Sequence, residues 1–181
     1  MHLHEKTQGW AAGIVLMEAL QTTGSGRSGP EALEPGRISD YFAEEIFGKL
    51  NKDTRDFLLK TSYFPRFAPV MAEVITGNSR SAQILADLNR RNYFIERRNE
   101  PGPIYQYHSL FREFLKSLAD RRFSEDERSR LMLSAAKLLE EAGQVEDAAE
   151  LFREAADWEG LARIIMDHAQ ELNEQGRSAA L

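Results

Sequence analysis

With 181 residues, 42% of them apolar, and no cysteine, the chain can bury a real core in one compact unit or two small ones, without disulfides or thiolate metal sites. No apolar run approaches the roughly 20 residues of a membrane helix, and Met1-His2-Leu3-His4-Glu5 lacks the basic-then-apolar order of a signal peptide, so a cytoplasmic protein is expected. The formal net charge of −6 argues against nucleic-acid binding over the whole surface.

Thr7 to Leu20 carries a helical pattern, with Trp10, Ile14, Val15, Met17 and Leu20 as its apolar faces. Thr22 to Arg37 holds four glycines and two prolines and reads as a flexible connector. Ser39 stands where it could cap a helix through Phe42, Ile46 and Leu50, and a second helix carries Phe57, Leu58 and Leu59 up to the Phe64-Pro65 break. A third runs from about Pro69 to Thr76, with Gly77 as its stop signal. A fourth, from Ser79 or Ser81 to Arg91, places Ala82, Leu85 and Leu88 on one side.

The period then changes. Tyr93 to Arg97 and Pro103 to Tyr107 read as strands joined by Arg98-Asn99-Glu100-Pro101-Gly102. Helices followed by a hairpin give the order of a winged helix-turn-helix. The hairpin is the wing, the Ser79 to Arg91 helix takes the recognition position, and a helix over Ser109 to Arg121, with Leu110, Phe111, Phe114, Leu115 and Leu118, leaves the domain. His108 stands at the joint of strand and helix, where an imidazole is either a structural plug or a ligand contact.

Ser124 and Glu127 form an S-x-x-E capping box for a helix through Leu131, Leu133, Ala135, Leu138 and Leu139, ended by Gly143. Val145 to Ala156 and Trp158 to about Gln175 give two more helices, joined closely enough to pack antiparallel. Glu141-Ala142-Gly143-Gln144 recurs weakly as Glu174-Gln175-Gly176-Arg177, near the period of about 34 residues of tetratricopeptide arrays. The expected fold is mainly α: a helix within 1–21, a linker over 22–38, a winged helix-turn-helix with one β-hairpin over 39–122, and an α-helical, tetratricopeptide-like tail over 123–181.

Charge is unevenly spread. Arg80, Arg90, Arg91, Arg97 and Arg98 face only Asp87 and Glu96 between Arg80 and Arg98, a local +3, whereas from Ser124 onward fourteen acidic residues face six basic ones. Arg90, Arg91, Arg97 and Arg98 read as a solvated or salt-bridged face, with phosphate binding to DNA as the alternative and Gln83, Asp87 and Asn89 as the polar groups that would read bases. His2, His4 and His168 lack metal-ligand spacing, and no nucleophile, base and orienter assemble, so no enzyme and no metal are expected. Trp10 and Trp158 are expected to anchor cores; Glu140-Glu141 and Glu125-Asp126-Glu127 are expected on solvated faces or at helix starts.

Five segments in one order carry a resemblance. They are Thr7-Gln8-Gly9-Trp10-Ala11-Ala12-Gly13, Tyr41-Phe42-Ala43-Glu44-Glu45, Arg55-Asp56-Phe57-Leu58-Leu59-Lys60-Thr61-Ser62, Tyr105 to Leu115, and Gly143 to Ile165. Together the chain resembles the middle of the large MalT-like regulators of the LuxR class, which are STAND-type ATPases. The resemblance implies a parent with a nucleotide-binding domain, whose last helix would lie within 1–21, then this winged-helix domain, a helical-repeat sensor and a C-terminal helix-turn-helix for DNA. It also implies that His108 approaches the phosphates of bound ADP in the resting state.

The chain departs from such a parent in two respects. No G-x-x-x-x-G-K-[ST] occurs, and Gly24-Ser25-Gly26-Arg27-Ser28-Gly29-Pro30 has proline where the phosphate-binding lysine would stand. Nothing after Leu172 reads as a DNA-binding helix-turn-helix. No cofactor is therefore expected on this chain, with ATP or ADP in the parent. The expected partners are the parent's nucleotide-binding domain and an effector or regulatory protein on the repeats; DNA would be reached only through a C-terminal domain not present, and no membrane is involved. The alternatives are a stand-alone winged-helix DNA-binding protein and a protein-interaction adaptor.

Overall fold

The computed structural model describes residues 42–99 and 102–174. The expected helix over 7–20, the connector, the Ser39 cap, His2, His4, Trp10 and the second copy of the repeat signature beyond Glu174 lie outside the described residues. Among the described residues no helix is long and apolar enough to cross a membrane.

The segment through Phe42, Ile46 and Leu50, expected as one α-helix, is instead a π-helical turn over Phe42–Ile46 followed by a 3-10 turn over Phe47–Lys49. Phe42 and Ile46 are still buried, as their four-residue spacing predicts, although the regular helix is lost. A Cβ at Gly48 would stand 2.9 Å from the Ala43 carbonyl oxygen, so a larger residue there would displace that backbone.

Helix α1 (Lys52–Thr61) starts at Asn51, whose Oδ1 accepts from Thr54 N–H at 2.8 Å. It buries Phe57, Leu58, Leu59 and Thr61. Helix α2 (Pro69–Thr76) begins with proline and ends at Gly77, whose φ of +69° is the left-handed cap that glycine adopts without steric cost. Helix α3 (Ser81–Arg90) turns Ser81, Leu85 and Leu88 inward. Ala82, expected inside, is exposed; the inward stripe begins instead with Ser81, whose hydroxyl is satisfied by donating to Asn78 O at 2.6 Å.

The wing is strand β1 (Ile95–Asn99) paired antiparallel with β2 (Pro103–Tyr107), in a register running from Ile95 opposite Tyr107 to Asn99 opposite Pro103. β1 starts two residues later than expected because Asn92 and Phe94 both have φ of +53°, a left-handed backbone that cannot pair as strand. Phe67 adds a third rung against Tyr105, with N···O distances of 2.9 and 2.8 Å. Helix α4 (Ser109–Arg122) leaves the wing.

Phe123 and Ser124 are extended, and helix α5 (Glu125–Glu141) follows. Its capping box is complete: Ser124 Oγ accepts from Glu127 N–H at 3.3 Å while Glu127 Oε2 accepts from Ser124 N–H at 2.9 Å. Gly143 reverses the chain at φ +71° into helix α6 (Val145–Glu154), and α7 (Trp158–Glu174) packs on α6.

One apolar core runs from Phe42 through the wing into the tail, ending in Leu139, Ala148, Leu151, Phe152 and Ile164. Trp158, expected as an anchor, is 64% exposed. Phe152 anchors this corner instead, because Gly160 lets α7 come close: a Cβ there would sit 2.7 Å from Phe152 Cδ1. Glu140, expected on a solvated face, is bound by both terminal nitrogens of Arg163, and that hydrogen-bonded guanidinium holds its carboxyl below the usual value.

Candidate functional site at the wing joint

The alternation Tyr105, Gln106, Tyr107 turns both tyrosines inward. At the end of β2 the Tyr107 hydroxyl lies 2.7 Å from Thr61 Oγ1, which itself donates to Phe57 O at 2.8 Å. Thr61 has thereby used its proton, so the tyrosine is the donor to it. Burial pushes the Tyr107 phenol well above its ordinary range, more than the Thr61 hydrogen bond pulls it back.

His108 is the N-cap residue of α4 and is buried, 1% exposed. Its N–H donates to Phe94 O at 2.8 Å and its carbonyl accepts from Arg112 N–H at 2.9 Å. Its ring meets the Phe94 ring edge-on, with centroids 6.2 Å apart at 80°. Phe94 is held in the left-handed region, at a cost of about 1–2 kcal/mol for a residue with a Cβ. Its ring is locked by Phe42 at 5.0 Å and Phe111 at 6.0 Å. The joint is therefore a strained backbone position and an imidazole that fix each other.

One turn further along α4, Arg112 sends Nε to Ser62 O at 2.9 Å and Nη2 to Tyr63 O at 2.8 Å. Burial lowers its pKa, and the carboxylates of Glu154, Asp147 and Glu113 act against that. Arg112 therefore ties the C-terminus of α1 to the helix that leaves the wing. Composition gives no hint of this clamp; its only trace in the sequence is an arginine one turn after His108 on an amphipathic helix.

The four arginines on the alternative DNA surface do not converge. Arg90 is bound to Asp87 at 2.6 Å. Arg91, exposed, lines a polar cleft of about 330 Å³ between the start of α1 and α3, together with Arg80 and Gln83. Arg97 and Arg98 are neighbours on β1 and so project from opposite faces; Arg97 donates to Asn99 at 3.2 Å, and Arg98 pairs with Glu96 at 3.3 Å.

A winged helix is what the order of helices and hairpin predicts, and residues 43–127 match the family described as the MalT winged helix domain. This segment is similar to the MalT winged helix domain. Along 99% of its length it is similar to the HTH-type transcriptional regulator MalT of Vibrio cholerae serotype O1, with 29% identity over 186 residues. It is also similar to the regulators of that name from Cronobacter sakazakii, 29% identical over 63% of the chain, and from Klebsiella pneumoniae strain 342, 28% identical over 63%. The chain spans 20% of the length of the Vibrio protein and 13% of the other two. The matched segment includes α1 to α4 and both strands and ends three residues into α5.

Proposed function

We propose that the chain is the regulatory middle of an ATP-dependent transcriptional regulator, in which the winged helix domain is a switch that couples a nucleotide-binding domain to a helical-repeat sensor formed from α5 onward. The observation that supports it most is the shared packing of His108 and Phe94. The imidazole stands at the boundary of wing and α4, one turn from the Arg112 clamp that reaches α1, so a change in what His108 contacts is felt by three elements at once.

In the resting state the wing joint opens enough to expose the His108 imidazole that is buried in this chain, and ADP phosphate accepts a hydrogen bond from it, with the ring gaining charge from the anion. Exchange for ATP removes that contact, and the winged helix domain moves as a rigid body because the two states differ in a contact worth keeping. DNA is then reached through another part of the parent protein, since Arg90 and Arg98 are engaged with carboxylates on their own elements.

The test is a reporter assay with the full-length parent carrying His108→Asn, alongside His108→Ala. Higher basal transcription without inducer is the expected result. Basal transcription equal to wild type, in protein that still folds and binds its promoter, would remove His108 from the switch. Retarded migration of duplex DNA by the 181-residue chain, lost on changing Arg90 and Arg91 to alanine, would favour the stand-alone DNA-binding reading instead.

A further inference from the structure

The winged helix domain meets the tail along a seam whose two sides carry opposite charge. On the domain side stand Arg66, from the α1–α2 loop, with Arg112 and Lys116 from α4. On the tail side, Asp147, Glu150 and Glu154 recur along α6 at helical spacing, Glu150 being paired to Arg153 of its own helix. Arg66 Nε donates to Gln144 Oε1 at 3.0 Å and lies 3.8 Å from Asp147. Lys116 Nζ is 3.1 Å from Glu154 Oε2. Arg112 feels Glu154 and Asp147 while its own hydrogen bonds go to the domain.

The two halves are joined covalently only through Phe123 and Ser124, both extended, between α4 and α5. Beside that joint Arg128 pairs with Asp120 at 2.9 Å, bracing α5 against α4. Two of the three buried α5 side chains are alanines, Ala135 and Ala136, which bury little apolar area. The apolar core crosses this junction, and the ionic contacts add to it along the rim.

We propose that this seam is an electrostatic latch: Arg66 and Lys116 hold Asp147 and Glu154 of α6, with the Arg112 charge beside them, and screening or reversing that charge lets the tail swing about Phe123 and Ser124 away from the winged helix domain. The latch is independent of the nucleotide reading of His108. It supplies a mechanical step by which a ligand or protein bound to the tail can act on the domain, by competing for the α6 carboxylates.

The chain has no cysteine, so a label pair introduced by Gln83→Cys on α3 and Glu159→Cys on α7 reports the distance across the seam in the 181-residue chain. At low salt one short, narrow distance is expected. At about 1 M salt, where the Debye length falls to about 3 Å, the open, longer-distance fraction should rise roughly tenfold, the two pairs Arg66–Asp147 and Lys116–Glu154 each contributing a few-fold at most. Lys116→Glu should open the seam at low salt, and adding Glu154→Lys should close it again, which a merely structural role for the lysine stem would not produce. A distance distribution indifferent to salt and to Lys116→Glu would overturn the latch, as would failure of Glu154→Lys to restore the short distance.

Discussion

Arg112 donates to the carbonyl of Tyr63 at 2.8 Å and, through Nε, to that of Ser62 at 2.9 Å. A side chain on the helix after the wing thus closes the last turn of the first helix of the domain, about 50 residues earlier in the chain.

Removing the guanidinium leaves two inward carbonyls without their donor. Arg112→Ala is expected to lower unfolding stability by about 3 kcal/mol, since a buried acceptor left unsatisfied costs about 1–3 kcal/mol. Arg112→Lys, a point charge that cannot span both oxygens, should recover about half of the loss. Chemical denaturation of the two variants and wild type measures both values; an Arg112→Lys protein as stable as wild type would show that charge, not the fork, matters.

Burial pushes the Tyr63 phenol up to about 12, with Asp120 and Glu154 adding to the rise and Arg128 opposing it. Tyr107 moves further in the same direction. In the unfolded chain both titrate near pH 10. A pKa raised on folding contributes stability that is complete below the unfolded value and is lost as pH climbs towards the folded one. Stability should therefore fall from about pH 10 upward, and tyrosinate absorbance from these two residues should appear together with unfolding. Tyr63→Phe should shift the alkaline transition to higher pH. A smooth titration of every tyrosine near pH 10 with the helical signal intact would contradict this.

Two tail turns end on opposite residue choices with the same backbone. Gly143 and Ala156 have φ of +71° and +55°. Ala156 is exposed, so Ala156→Gly relieves strain and should stabilise by about 0.5–1 kcal/mol, whereas Gly143→Ala should destabilise by about 1 kcal/mol although open space surrounds the new methyl. Thermal melts of the two variants should move in opposite directions.

The sequence made the fold order legible wherever period and punctuation agreed. Pro69 and Gly77 bracket α2, Ser124 and Glu127 open α5, and the Tyr105–Gln106–Tyr107 alternation sets β2. It was silent where one contact outweighs a pattern. The helix through Phe42 gives way to a π turn and a 3-10 turn with Gly48 close against the Ala43 carbonyl, and Phe94 accepts a left-handed backbone because three aromatic neighbours hold its ring, so β1 begins late. Trp158 looked like an anchor because indole usually is one; Phe152 fills that place because Gly160 lets α7 come close to its ring. At the candidate site, His108 was visible from its place between two periodicities. Its partner Phe94, the Thr61 to Tyr107 bond and the Arg112 clamp join residues too far apart in sequence for any local pattern to register.

The nucleotide-switch account is tested most directly by the dissociation rate of a fluorescent ADP analogue from the full-length parent, wild type and His108→Asn. The account predicts that the analogue leaves the variant at least tenfold faster, the equivalent of about 1.4 kcal/mol of lost phosphate contact. An unchanged dissociation rate, in a variant whose thermal melt matches wild type, would contradict it and leave His108 as a structural plug between the wing and α4.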